Sequence, residues 1–207
     1  ALRGDPAGAR IPRAEVARPR AGLRGDILLV VDEAYGEFAD HLGEPVFDLV
    51  GRGDTVILRT FSKAYGLAGM RVGWGLFPES IAGEVRKVMN PNNISAAGQA
   101  AAAAALSDQA YMRETCAITA RLRDGFLHRL REAGFDVAES FTNFALIRFD
   151  DARAAQQADA ALRAEGVVTR AQSGAGLSDC LRVTVGTAEE LNFAASLLEH
   201  WAMGGKA

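Results

Sequence analysis

Ile27-Leu28-Leu29-Val30-Val31 is an unbroken apolar run that stops on an acid, Asp32, and this junction limits the folds open to the chain more than any other stretch. Such a run, of strand length and without alternation, marks a strand of a parallel sheet buried on both faces. Tyr35 follows the acid three residues later. Ligands of open α/β sheets bind beyond the carboxyl ends of the strands, so Asp32 and Tyr35 stand where a ligand would lie. A second run, Thr55-Val56-Ile57-Leu58, delivers Thr60, Ser62 and Lys63 to the same edge.

Lys63 is the most telling residue of that set. The chain holds only three lysines (Lys63, Lys87, Lys206) among 23 basic residues, so its habitual cation is arginine. Arginine offers no nucleophilic nitrogen, whereas a partly desolvated amine can form an imine with an aldehyde. A loop lysine snorkelling to solvent is the plainer reading, and the neighbours weigh against it. An amine, an acid, a phenol, two hydroxyls and the guanidinium of Arg71 suit pyridoxal phosphate (PLP). The lysine would hold the aldehyde, and the acid would keep the ring nitrogen protonated so that the ring acts as an electron sink. The phenol would sit near the ring hydroxyl. Hydroxyls and a forked arginine suit a phosphate dianion.

Three motifs then fall into place: Asp32-Glu33-Ala34-Tyr35, Ser62-Lys63-Ala64-Tyr65-Gly66-Leu67-Ala68-Gly69-Met70-Arg71-Val72-Gly73, and Leu181-Arg182-Val183-Thr184-Val185-Gly186-Thr187. Together they resemble the fold-type I, class I/II aminotransferases, and within them the histidinol-phosphate aminotransferase group. The resemblance runs from about Ala7 to the last helix. It implies that Lys63 is the Schiff-base lysine and proton shuttle, that Asp32 pairs with the pyridine nitrogen, and that Tyr35 bonds the ring hydroxyl oxygen. Thr60, Ser62 and Arg71 would hold the cofactor phosphate, and Arg182 the substrate α-carboxylate. The implied fold is α/β: a partial large domain with a mostly parallel sheet over residues 1–108, then a linking helix and a C-terminal α+β small domain over 109–207. The implied reaction is transamination between an amino donor, histidinol phosphate, and a 2-oxo acid acceptor, 2-oxoglutarate, in a homodimer. An aromatic amino acid aminotransferase, a threonine-phosphate decarboxylase-like enzyme and a truncated, non-catalytic remnant are the alternatives. Gly4-Asp5-Pro6-Ala7-Gly8 aligns with the family's Asn-Pro-Thr-Gly element, with Asp5 in the asparagine position. On this reading the family's N-terminal part, with its phosphate loop and ring-stacking aromatic, is missing.

A net charge of −3 gives no electrostatic case for nucleic acid or an anionic membrane surface. The alanine-rich 96–106 stretch is too short to span a bilayer. Cys116 and Cys180 lie far apart without partner histidines, so neither a metal nor a disulfide framework is expected, and a reducing, cytoplasmic setting fits. His41, His128 and His200 read as surface or helix-face residues, and Asn143 as a turn residue. Arg182 lies inside an apolar strand and needs a partner, either a substrate carboxylate or a structural one. The pattern predicts helices over 11–24, 79–88, 94–106, 108–133 and 152–165, and a loop over 36–54 with one helical turn. Strands are expected at 72–77, 135–138, 144–149, 167–170 and 180–185. Thr187-Ala188-Glu189-Glu190 signals a capping box for a final helix.

Overall fold

A computed structural model of the chain describes residues 7–43 and 46–204. Asp5, aligned above with the family's asparagine, lies outside the described residues. Two compact units emerge, one of Arg10–Cys116 and one of Ala117–Ala207. The stretch around Gly8 belongs to the second, where the Gly8 carbonyl accepts from Phe141 N at 2.9 Å. The changeover falls inside a helix, beyond the boundary expected near residue 108.

The first unit opens with α1 (Arg13–Gly22), which carries Pro19 in its last turn without ending there. Strand β1 (Leu29–Asp32) pairs in parallel with β2 (Thr55–Thr60), and β2 pairs antiparallel with β3 (Gly73–Leu76). The described sheet, in the order β1-β2-β3, therefore has one parallel and one antiparallel pairing where a mostly parallel sheet was expected. The connection between β1 and β2 holds three 3₁₀ segments, Gly36–Phe38, Asp40–Leu42 and Phe47–Arg52, where the sequence suggested a single turn.

Alternation governs what β1 buries. Val31 and Ile57, neighbours in the register, point into a core with Val16, Val46, Leu49 and Val50. Val30 points the other way and is 44% exposed, and Ile27 and Leu28 before the strand are also exposed. Burial on both faces, expected from the unbroken run, is thus corrected: among the described residues only one face of β1 is sealed. Helices α2 (Glu79–Val88) and α3 (Ala96–Ser107) follow. Ser95 caps α3 by accepting from Gly98 N at 3.0 Å.

Helix α4 (Gln109–Glu132) begins in the first unit and ends in the second. It closes at Gly134, whose φ of +87° lets Phe135 N return to the Leu130 carbonyl. The second unit is an antiparallel sheet in the order β4 (Asp136–Val137), β5 (Phe144–Arg148), β7 (Leu177–Thr184), β6 (Arg170–Gln172). Helices α5 (Ala152–Ala164) and α6 (Ala188–Gly204) bury their apolar stripes with it. That core joins Leu130, Ala145, Ile147, Leu162, Leu181, Val183, Leu198 and Trp201. The capping box forms as the sequence signalled: Glu190 N donates to Thr187 Oγ1 at 3.2 Å, and Thr187 N to Glu190 Oε2 at 2.7 Å. Strand β6 starts at Arg170, later than expected, and β7 starts earlier, at Leu177.

Candidate active site

Parallel pairing brings the carboxyl ends of β1 and β2 to one edge of the first unit. Asp32 stands beside Leu58 in the register, and Glu33 N extends the ladder by one bond, to the Leu58 carbonyl at 2.8 Å. Asp32 Oδ1 accepts from Ala34 N at 3.0 Å, a local turn that fixes the carboxylate at the strand end. Tyr35 is buried, and Lys63 Nζ lies 5.1 Å from the centre of its ring, within cation–π range. Lys63 itself is half-buried.

The loop after β2 is folded by its own hydroxyl and by packing. Thr60 Oγ1 accepts from Ser62 N at 3.0 Å, and Phe61 N donates to the Val72 carbonyl at 3.1 Å, which draws the Arg71 segment back beside Thr60. Phe61 and Tyr65 pack ring to ring at 4.9 Å, and Phe61, Val72 and Ala102 form a small core below them. Gly98 of α3 permits this approach, since a Cβ there would stand 3.1 Å from the Met70 carbonyl oxygen. Gly98 and Ala102 are the buried residues of α3 and pack against the loop that carries Lys63 and Arg71, whereas most of the helix's alanines are exposed.

Arg71 has φ +57°, the one non-glycine residue described in the left-handed region. That conformation costs an L-residue on the order of 1–2 kcal/mol. Its side chain is exposed, with Nη1 donating to the Ala68 carbonyl at 2.9 Å.

Asp32, Tyr35, Thr60, Ser62, Lys63 and Arg71 thus belong to one unit and to three adjoining segments. Arg182 belongs to the second unit. It lies half-buried on β7, its guanidinium carbon 4.7 Å from the centre of the Phe144 ring. Its cross-strand neighbour on β6 is Arg170. Directly opposed like charges on one sheet face are unfavourable, a cost that this register carries.

Sequence reasoning missed the groups beneath the Asp32 edge. Arg59, on β2, is buried and bonded to Glu33, Glu37 and Asp40. The signal was present: a charge inside Thr55-Val56-Ile57-Leu58-Arg59-Thr60 demands partners, by the argument applied to Arg182. Cys116 is buried, its thiol pushed up to about 12 by desolvation and by the charges of Glu37 and Asp40. Cys180, also buried, is pushed up to about 11, chiefly by desolvation. Such thiols are inert near neutrality. No group of three or more potential metal ligands occurs among the described residues.

Known proteins resemble this chain in sequence and fold. A family model described as Aminotransferase class I and II matches residues 5–198. The histidinol-phosphate aminotransferase of Paramagnetospirillum magneticum is 43% identical over 203 residues, which take in 95% of this chain and 55% of that protein. The enzyme of the same name from Rhodospirillum centenum is 39% identical, over 97% of this chain and 56% of its own. Among solved structures, histidinol-phosphate aminotransferase from Sinorhizobium meliloti in complex with pyridoxal-5'-phosphate superposes with a TM-score of 0.89 at 31% identity, covering 96% of this chain and 55% of that one. L-threonine-O-3-phosphate decarboxylase from Porphyromonas gingivalis superposes with a TM-score of 0.82 at 25% identity, over 96% and 62%. The chain spans about half the length of the curated relatives it matches. With its strand-end acid, its half-buried lysine and this fold-type I architecture, the chain is a member of the class I and II aminotransferases.

Proposed function

We propose that this chain carries the cofactor-binding half of a PLP-dependent aminotransferase whose amino donor is histidinol phosphate and whose acceptor is a 2-oxo acid, 2-oxoglutarate. The observation that carries the reading is Lys63, its Nζ set over the buried Tyr35 ring on the edge that also bears Asp32. The donor set fits the cofactor by its chemistry. Lys63 is an amine for the aldehyde, Asp32 an acid for the ring nitrogen and Tyr35 a phenol for the ring hydroxyl. Thr60, Ser62 and Arg71 form a hydroxyl and guanidinium group for the phosphate. When bound, PLP supplies an electron sink that stabilises negative charge at the substrate Cα.

The chain's own residues do the rest. Lys63 Nζ carries the Cα proton, work that typically contributes about 10²–10⁴-fold. Asp32 would pair with the ring nitrogen of the cofactor and so favour a proton there. Arg182 holds the substrate's α-carboxylate, which the 2-oxo acid acceptor carries. The relatives named above support the donor, and the family supports an amino donor and keto acid acceptor. A homodimer and a cytoplasmic setting complete the reading. No helix among the described residues is long and apolar enough to cross a membrane.

The similarity to a threonine-phosphate decarboxylase makes that reaction the second reading, since it asks for the same cofactor and a phosphorylated substrate. The test is capture of the cofactor. Borohydride treatment of the chain with PLP should fix the cofactor on Lys63, seen by peptide mass. Lys63→Ala should abolish both that adduct and the absorbance of the bound cofactor. Histidinol phosphate should then be converted with consumption of 2-oxoglutarate. Release of carbon dioxide from phosphothreonine would select the second reading. Absence of any adduct at saturating PLP would mark the chain as a non-catalytic remnant.

A further inference from the structure

Arg59 links the segment that bears Asp32 and Tyr35 to the strand that leads into Thr60 and Lys63. It lies next to Thr60 on β2. Its Nε and Nη2 donate to Glu33 Oε2 at 3.0 and 2.7 Å, and Glu33 follows Asp32. Its Nη1 and Nη2 donate to the two oxygens of Asp40 at 2.7 and 2.8 Å, a bidentate fork, and Nη1 reaches Glu37 Oε1 at 3.5 Å. Gly36, next to Tyr35, leaves room for the guanidinium, since a Cβ there would stand 2.8 Å from its carbon. On the third side the guanidinium carbon lies 4.8 Å from the Phe47 ring and 6.0 Å from the ring of Trp74, its partner on β3.

Cohesion alone does not explain this network. Taking an ion out of water costs several kcal/mol, and buried ion networks are often replaced by apolar side chains without loss of stability. Arg59, Glu33 and Glu37 are all buried, and Glu37 Oε2 has no hydrogen-bond partner among the described residues. A planar fork, unlike an apolar contact, fixes direction as well as distance. We propose that Arg59 is a positioning residue of the cofactor site, holding the Asp32–Tyr35 segment in fixed register with the Thr60–Lys63 segment. This rests on the cofactor reading above. Asp32 and Lys63 must meet opposite ends of one rigid ring, so a slip between their segments misplaces one of them.

The test uses the full chain. Arg59→Lys keeps the charge and removes the fork, and Gly36→Ala pushes the guanidinium aside without altering any charge. Three readouts are taken: hydrogen exchange of residues 33–40 without cofactor, PLP affinity, and the pH midpoint of the bound cofactor's absorbance band. Thermal unfolding of the second unit, followed at Trp201, is the internal control. Both variants should speed exchange in 33–40, weaken PLP binding on the order of 10–100-fold, as a loosened supporting shell does, and shift the band's midpoint. The second unit's unfolding should stay put. If Arg59→Lys does not fold, Gly36→Ala decides by the same readouts. Wild-type affinity and band in a folded variant overturn the positioning role alone. A wild-type chain that captures no PLP overturns the proposed function, and this role falls with it.

Discussion

In the second unit, β5 and β7 send Ala145, Ile147, Leu181 and Val183 into a large apolar core, and the buried Arg123 lies apart from them, bonded to the Thr142 carbonyl and Asp124. In the first unit, the matching depth at the ends of β1 and β2 is occupied by Arg59, Glu33 and Glu37, and the sheet leaves Val30 exposed on its far face. The contrast separates two jobs. Apolar packing tolerates small rearrangement and supplies cohesion, whereas a charged network tolerates little and supplies direction. The unit that carries the strand-end acid and the lysine adds this charged network to the apolar core around Val31 and Ile57.

Each unit holds one of the two tryptophans, Trp74 in the first and Trp201 in the second, so single-tryptophan chains report them separately. The largest effect should come from Glu33→Ala. Removing one partner of a buried pair leaves Arg59 with less compensation and should cost about 3–5 kcal/mol in denaturant unfolding followed at Trp74. A loss below about 1 kcal/mol, the value of a surface pair, would erase the contrast between the units. Next, Leu130→Ala, at a fully buried position, should cost about 2–5 kcal/mol followed at Trp201, with little change at Trp74. Equal losses at both probes would mean that the units unfold as one.

The smallest effect is a slope. Burial pushes the Glu37 carboxyl above its ordinary 4.5, Arg59 opposes that rise, and Asp40 and Glu33 add to it. The folded chain therefore binds this proton more tightly than the unfolded chain does. Its contribution to stability is fully present below 4.5 and is lost as pH rises through the folded value. Glu37→Gln should flatten that part of the Trp74 stability profile and leave the Trp201 profile alone. An unchanged slope would show that Glu37 binds its proton equally well in the folded and unfolded chains.

The sequence was most legible where one physical demand acted alone. The capping box at Thr187 and Glu190, the long α4 and the strands after it follow from local chemistry and periodicity. The site edge was legible because an apolar run that ends on Asp32 and a lone lysine each ask for a reason. Legibility failed where tertiary cover decides. The run 27–31 has the same composition whether or not its far face is sealed. The 3₁₀ segments between Gly36 and Arg52 form around the guanidinium of Arg59, and nothing local in their sequence announces that anchor. The opposition of Arg170 and Arg182 depends on the β6–β7 register, which single-strand patterns do not encode.

Position 71 joins two requirements that pull apart. Its backbone twist is one that glycine or asparagine would adopt with less strain, while the proposed role of Arg71 at a cofactor's phosphate asks for a guanidinium there. A randomised library at this codon would return different winners under different pressures. Sorting for resistance to heat would enrich the small residues, and sorting for retention of the cofactor would bring arginine back.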